Sequence, residues 1–245
     1  MSPFISELVG TFILIALGVS VNSNASLKSA YGSGGGWLLI NFGWGLAVFC
    51  GVAVAGPYSG AHLNPAVTVG LAVAGLFPWE DVGTFVLAQF LGAMLGAFVV
   101  WGNFKDHFDR EENSAAKLGV FSTAPSIKNI PLNFVGEVTG TFMLVFVILF
   151  FSDASLSSEE LGEFQFGLGS LGAIPAAFLV MVIGMGFGGT TGYAINPTRD
   201  LGPRIIHTLM PIKGKGTSDW GYAWLPVIAP LVGGALAAGL YLIIG

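Results

Sequence analysis

Charge is what this sequence has least of. Only 9% of its 245 residues are Asp, Glu, Lys or Arg, about a third of the share in a soluble domain, which excludes an ordinary water-facing globule. Positive charge is the scarcer sign: nine Lys+Arg stand against fourteen Asp+Glu, a net of -5. No basic surface remains to neutralise phosphates, so nucleic acid is excluded as a partner. A single cysteine, Cys50, excludes an internal disulfide and a thiolate metal cluster; set in an apolar run, it reads as a small core residue. No metal motif and no Ser/His or paired-Asp constellation stands out, so neither an enzyme nor a cofactor is expected. What is abundant is apolar: 53% of residues are hydrophobic and 37 are Gly, which also excludes disorder.

A hydrocarbon core of about 30 Å takes roughly 20 apolar residues at helical rise. Six such runs occur, near residues 4–21, 37–56, 82–102, 132–151, 172–188 and 222–244. The first lacks the basic start and cleavage site of a signal peptide and reads as a retained span. The stretch 103–131, with Lys105, Asp106, Asp109, Arg110, Glu111, Glu112 and Lys117, is a charged linker between a first repeat at 1–102 and a second at 132–245.

The halves carry the same phrases. ELVGTF from Glu7 recurs as EVTGTF from Glu137, an offset of 130, and SGAHLNPAVTVG from Ser59 recurs as TGYAINPTRDLG from Thr191, an offset of 132. A weaker match pairs Ala88–Gly92 with Ala229–Gly233 in the third span of each half. Three spans per half is an odd number, so two like-folded halves enter the membrane from opposite sides, an inverted repeat. Channels and transporters are built this way. The small-residue pairs Gly92/Gly96 and Gly233/Ala237 predict close helix approach.

Between the second and third spans of each half lies a run of only about ten residues, 65–73 and 197–207. At about 1.5 Å per residue such a run reaches half-way across the hydrocarbon. Each opens with Asn-Pro. Asn is a favoured N-cap, and Pro at the first helical position gives up no intrahelical bond. The spacing therefore predicts two half-helices that start abruptly near the midplane, preceded by loops that border a wet passage, since bare backbone at that depth is tolerated only there or inside protein.

HLNPAVT and INPTRD resemble the paired Asn-Pro-Ala boxes of the aquaporin family, and the pattern is most similar to its aquaglyceroporin, or glycerol facilitator, branch. The resemblance spans essentially the whole chain and implies an all-α integral membrane fold of six transmembrane helices and two re-entrant half-helices. The boxes are Asn64, Pro65, Ala66 and Asn196, Pro197, Thr198; the second departs from the family at Thr198. Counting from them, the resemblance implies a selectivity filter of Trp44, Gly184, Tyr193 and Arg199. Gly184 supplies no side chain, which leaves room for something wider than water. Tyr193 stands where glycerol facilitators usually carry Phe; its extra oxygen either favours a more polar solute or points to water or a neighbour. Asp200, directly after Arg199, and Pro230-Leu231 in the last span also look like the glycerol branch.

A polyol has a hydroxyl edge and a hydrocarbon edge. Trp44 and Tyr193 can meet the second, and the Arg199 guanidinium with loop carbonyls the first. Asn64 and Asn196 should cap their helices through the side-chain oxygen and turn their NH2 donors to the lumen. Two half-helix starts, each carrying about +0.5 charge, oppose cations and protons together with Arg199. Glu7, Glu137 and His62 are expected to be pore scaffold, the two carboxylates by accepting loop N–H groups. Arg204 is expected to brace loops near the mouth, and His207 to be a polar terminus.

These features imply a passive channel for glycerol, water and other small uncharged solutes, in the inner or plasma membrane, embedded in the lipid bilayer and assembled as a homotetramer. The alternatives are a secondary active transporter, or a channel whose main solute is lactic acid, urea or hydrogen peroxide. Orientation carries a conflict. All nine basic residues fall in or near the linkers on one side, which by the positive-inside count turns the termini outward; the resemblance implies cytoplasmic termini.

Overall fold

The computed structural model describes residues 1–152, 154–158 and 162–245. Among the described residues, six helices are long and apolar enough to cross a membrane. They comprise α1 (Pro3–Ser26), α2 (Gly36–Ser59), α4 (Trp79–Asn103), α7 (Ile130–Leu149), α8 (Ile174–Gly186) and α11 (Leu225–Ile244). The 13-residue α8 reaches spanning length with the 3-10 turn Gly169–Ala173 ahead of it. The half-helices are α3 (Pro65–Val73) and α10 (Pro197–Leu209). The first has the bounds expected from the sequence; the second runs two residues past His207, ending where Met210 turns to extended backbone.

The charged linker is more ordered than a linker. It holds α5 (Lys105–Arg110) and α6 (Ser114–Phe121), the latter capped by Asn113, whose Oδ1 accepts from the N–H groups of Ala115 and Ala116. A further short helix is α9 (Gly188–Thr191). The linker after α7 contains an antiparallel hairpin, β1 (Ala154–Ser158) with β2 (Gly162–Phe166), which hydropathy gave no reason to expect. Cys50 is half-buried rather than a core residue.

The halves pack alike and then interlock. In the first, α1 lies against α2 and α4; in the second, α7 lies against α8 and α11. The glycines set how close these helices come. A Cβ on Gly92 would strike the Leu8 carbonyl and sit 3.0 Å from Phe12 N, and one on Gly233 would strike the Val138 carbonyl at 3.0 Å from Phe142 N. Leu8/Val138 and Phe12/Phe142 are partners in the repeat, so the same notch serves both pairs, as small residues do where helices pack in lipid. Each half-helix docks most extensively on the third span of the other half, α3 on α11 and α10 on α4. Large apolar side chains such as Leu38, Phe178 and Leu236 are left exposed on the outer helix faces. Water would penalise that surface; lipid solvates it.

Candidate functional site: two helix starts and a two-part passage

The site is built on backbone that has no other reason to be stable. In the loop before α3, Ala61 and Leu63 have φ of 52° and 51°; in the loop before α10, Tyr193 and Ile195 have φ of 39° and 43°. Such left-handed non-glycine residues persist only where the surroundings over-determine them. The surroundings here are two buried carboxylates. Glu7 Oε1 accepts from His62 N at 2.9 Å and from the Ser59 hydroxyl at 2.7 Å, and its Oε2 accepts from Leu63 N and Gln89 Nε2, both at 2.8 Å. Glu137 accepts from Ala194 N and Ile195 N, both at 2.9 Å. With N–H groups drawn to one side, the carbonyls of the same peptides are turned to the other.

At the tips, the Asn-Pro pairs do what their chemistry predicts. Asn64 Oδ1 accepts from Ala66 N at 2.8 Å, and Asn196 Oδ1 accepts from Thr198 N at 3.1 Å and Arg199 N at 3.3 Å. Thr198, the departure from the family box, also donates its hydroxyl to Asn196 Oδ1 at 2.8 Å, a third donor on the capping oxygen. The amide nitrogens differ from the expectation that they only face the lumen. Asn64 Nδ2 donates to Ile195 O at 2.8 Å, and Asn196 Nδ2 donates to Leu63 O at 2.9 Å. Each amide thereby ties the two loops together and keeps one N–H free of these bonds for the cavity that both residues line.

Two cavities share residues at this level. The larger, about 250 Å3, runs past His62, Asn64 and Asn196 among apolar residues such as Val48 and Leu144. The smaller, about 160 Å3, is lined by Asn22, Ser26, Ser122 and Thr123. Trp44, Tyr193 and Arg199 line both. The Arg199 guanidinium carbon lies 4.1 Å from the Trp44 ring centroid, and its Nη1 donates to Phe121 O at 3.3 Å. A charged, hydrogen-bonding group and an aromatic wall thus meet between the two cavities.

The fourth expected filter position behaves differently. Gly184 lines neither cavity. The place of its missing Cβ is taken by the Asn41 amide oxygen and the Tyr193 ring, with Tyr193 Cζ 2.6 Å and Oη 2.8 Å away. The room made by this glycine is therefore filled from behind, not left open. The same geometry decides between the two readings of the Tyr193 hydroxyl. It is buried without a hydrogen-bond partner among the described residues and faces Gly184, so the ring, not the oxygen, meets the passage.

Asp200 and Arg204 are braces away from the passage. Asp200 accepts from Thr123 N and Oγ1, both at 2.7 Å, and pairs with Arg204 Nε at 2.8 Å; Arg204 also donates to Thr123 O and Ser218 O. His207 is fully buried, with Nδ1 2.8 Å from the Ser218 hydroxyl, so it anchors a loop instead of ending a helix in water. His62 sits with Nδ1 3.1 Å from the Thr68 hydroxyl, its ring edge-on to Phe77.

The description "Major intrinsic protein" fits residues 1–241 of this chain. The chain belongs to the major intrinsic protein family. It is 46% identical to the glycerol uptake facilitator protein of Streptococcus pneumoniae (strain ATCC BAA-255 / R6) over 97% of each chain. It is 45% identical to the glycerol uptake facilitator protein of Bacillus subtilis (strain 168), over 98% of this chain and 84% of that one. Among solved structures it is similar to the aquaglyceroporin from Plasmodium falciparum, with a TM-score of 0.80, 33% identity and coverage of 98% and 95%. Within this member of the family, sequence reasoning missed Asn22, Asn41, Ser59 and Gln89. Each is a polar side chain within or at the end of an apolar span, an anomaly in lipid and the one signal that could have found them.

Proposed function

We propose that the chain is a passive transmembrane channel that lets glycerol, water and other small uncharged solutes move down their gradients while excluding ions and protons. One observation carries this reading: two cavities that share Trp44, Tyr193 and Arg199 in their walls, beside two helix starts that face each other. A glycerol molecule offers hydroxyls to Arg199 and the loop carbonyls, and its CH edge to the Trp44 and Tyr193 rings. A cation meets Arg199 and about half a positive charge at each helix start, with no carboxylate lining either cavity among the described residues to compensate. Glu7 and Glu137 are occupied by loop N–H groups, which argues against an ion-coupled transporter.

In this reading Trp44, Tyr193 and Arg199 form the filter, and Gly184 serves it by seating the Tyr193 ring. Asn64, Pro65 and Ala66 with Asn196, Pro197 and Thr198 form the pore centre, and Glu7, His62, Glu137 and Asp200 the scaffold. The similarity to bacterial glycerol facilitators supports a plasma-membrane location with cytoplasmic termini, a homotetramer with one pore per subunit, and a repeat boundary in the 103–131 segment. The charge count against that orientation loses weight once the basic residues are located. Arg204 and Lys117 are buried and, like Lys215, donate to backbone carbonyls; internal donors are not free flanking charge.

Stopped-flow light scattering of proteoliposomes tests the function. Glycerol flux above that of empty liposomes, indifferent to sodium and proton gradients, is expected; no such flux, or dependence on either gradient, overturns it.

A further inference from the structure

Trp44 is held at both ends of its indole by one face of α1. At the first end is Gly18: a Cβ there would lie 2.5 Å from Trp44 Cε3 and 2.6 Å from Cη2, so only glycine admits the six-membered ring. At the second end, one turn on, is Asn22, whose Oδ1 accepts from Trp44 Nε1 at 3.0 Å. The Trp44 and Asn22 side chains are both buried, and an indole N–H buried without an acceptor costs about 1–3 kcal/mol.

The other half of the Asn22 amide is also used. Its Nδ2 donates to Val120 O at 3.1 Å. Val120 and Phe121 close α6, where the last carbonyls of a helix have no intrahelical partner. The next carbonyl, Phe121 O, is the one that accepts from Arg199 Nη1. Two adjacent carbonyls thus anchor the two walls of the constriction, Arg199 directly and Trp44 through Asn22. The task needs an acceptor toward α2 and a donor toward α6 on one short side chain, which a carboxamide supplies on two separate atoms; Asp lacks the donor, Leu lacks both, and a Ser hydroxyl carries both on a single oxygen.

We propose that Asn22 is a positioning residue for solute selectivity, fixing the Trp44 indole against Arg199 by tying both to the end of α6. Asn22 also lines the smaller cavity, so its hold on Trp44 is separated from its own contact with solute by whether its effect depends on the indole. The inference rests on the reading of Trp44 and Arg199 as the filter.

The test is a double-substitution cycle, Asn22→Leu, Trp44→Phe and both together, read as the ratio of glycerol to water permeability in the same proteoliposomes. Loss of folded protein lowers both fluxes and leaves the ratio alone. Asn22→Leu is expected to shift the ratio by about threefold or more, the scale of one neutral hydrogen bond, and to shift it no further once Trp44→Phe has removed the N–H. Asn22→Ala, which empties the site instead of filling it, is expected to give the same pattern. An unchanged ratio in both Asn22 variants, or an equal shift with and without the indole, overturns the inference while Trp44→Phe still moves the ratio. A ratio that Trp44→Phe itself leaves unmoved overturns the filter reading, and this inference with it.

Discussion

Asn64 and Asn196 hold each other's loops: the amide of each donates to the carbonyl just before the other, Ile195 O at 2.8 Å and Leu63 O at 2.9 Å. The exchange joins residues more than 130 positions apart and is the point where the two halves become one passage. Each side chain also caps its own half-helix.

Replacing either asparagine with Ala removes a cap, at about 1 kcal/mol, and leaves a buried carbonyl unpaired, at about 1–3 kcal/mol more. Asn64→Ala and Asn196→Ala are each expected to lower the melting temperature of the detergent-solubilised protein. Water and glycerol fluxes should fall together, because the damage is to the meeting of the loops.

Gly184→Ala puts a methyl group into space held by Tyr193 and Asn41. The ring has to give way toward the passage, so glycerol permeability is expected to fall several-fold more than water permeability, as stopped-flow light scattering will read. Equal loss of both solutes would show that the ring does not move into the constriction.

Tyr193→Phe removes a buried hydroxyl that has no partner among the described residues. An unpaired polar group of this kind costs about 1–3 kcal/mol, so the variant is expected to melt no lower than the parent and somewhat higher. Its glycerol-to-water ratio should stay within about twofold, since the ring that lines the passage is unchanged.

Glu7→Gln replaces an acceptor-only group by one whose NH2 must face an N–H. Both carboxylate oxygens are engaged by the loop, at His62 N and Leu63 N, so one of these bonds becomes a donor–donor contact. Reduced flux of every solute at an unchanged ratio is expected, with a lower melting temperature.

Outside the membrane, Glu111 clamps the loop ahead of α6. The Asn113 N–H holds its carboxyl below the usual glutamate range, with smaller help from Lys28 and the Glu112 N–H, against an opposing effect of burial. A depressed folded-state value means the clamp stabilises fully above the ordinary glutamate value of about 4.3 and is lost as pH falls through the lower folded value. The melting-temperature gap between parent and Glu111→Gln is therefore expected to be constant from pH 7 to about 5 and to close as pH falls below the ordinary glutamate value and through the lower folded one.

The sequence by itself determined the class, the span count, the repeat and the two half-helices. Apolar length, the odd number of spans per half and Asn-Pro capping are local properties, and they need no knowledge of neighbours. It also placed Glu7 and Glu137 as acceptors for the loops, because each recurs at a fixed distance from its box. Only the tertiary structure decided what a missing or added atom means. Gly184 read as open room until the Tyr193 ring was seen filling it. The Tyr193 oxygen had two readings until its burial removed one. Asn22, one polar residue near the end of an apolar helix, had no periodic or motif signal to mark it. Its meaning lies in an indole 22 residues away and a carbonyl 98 residues away. Local propensity follows the chain, whereas a constriction is made by side chains from α1, α2, α10 and the loop before it, held by carbonyls at the end of α6, and their meeting is fixed only by packing.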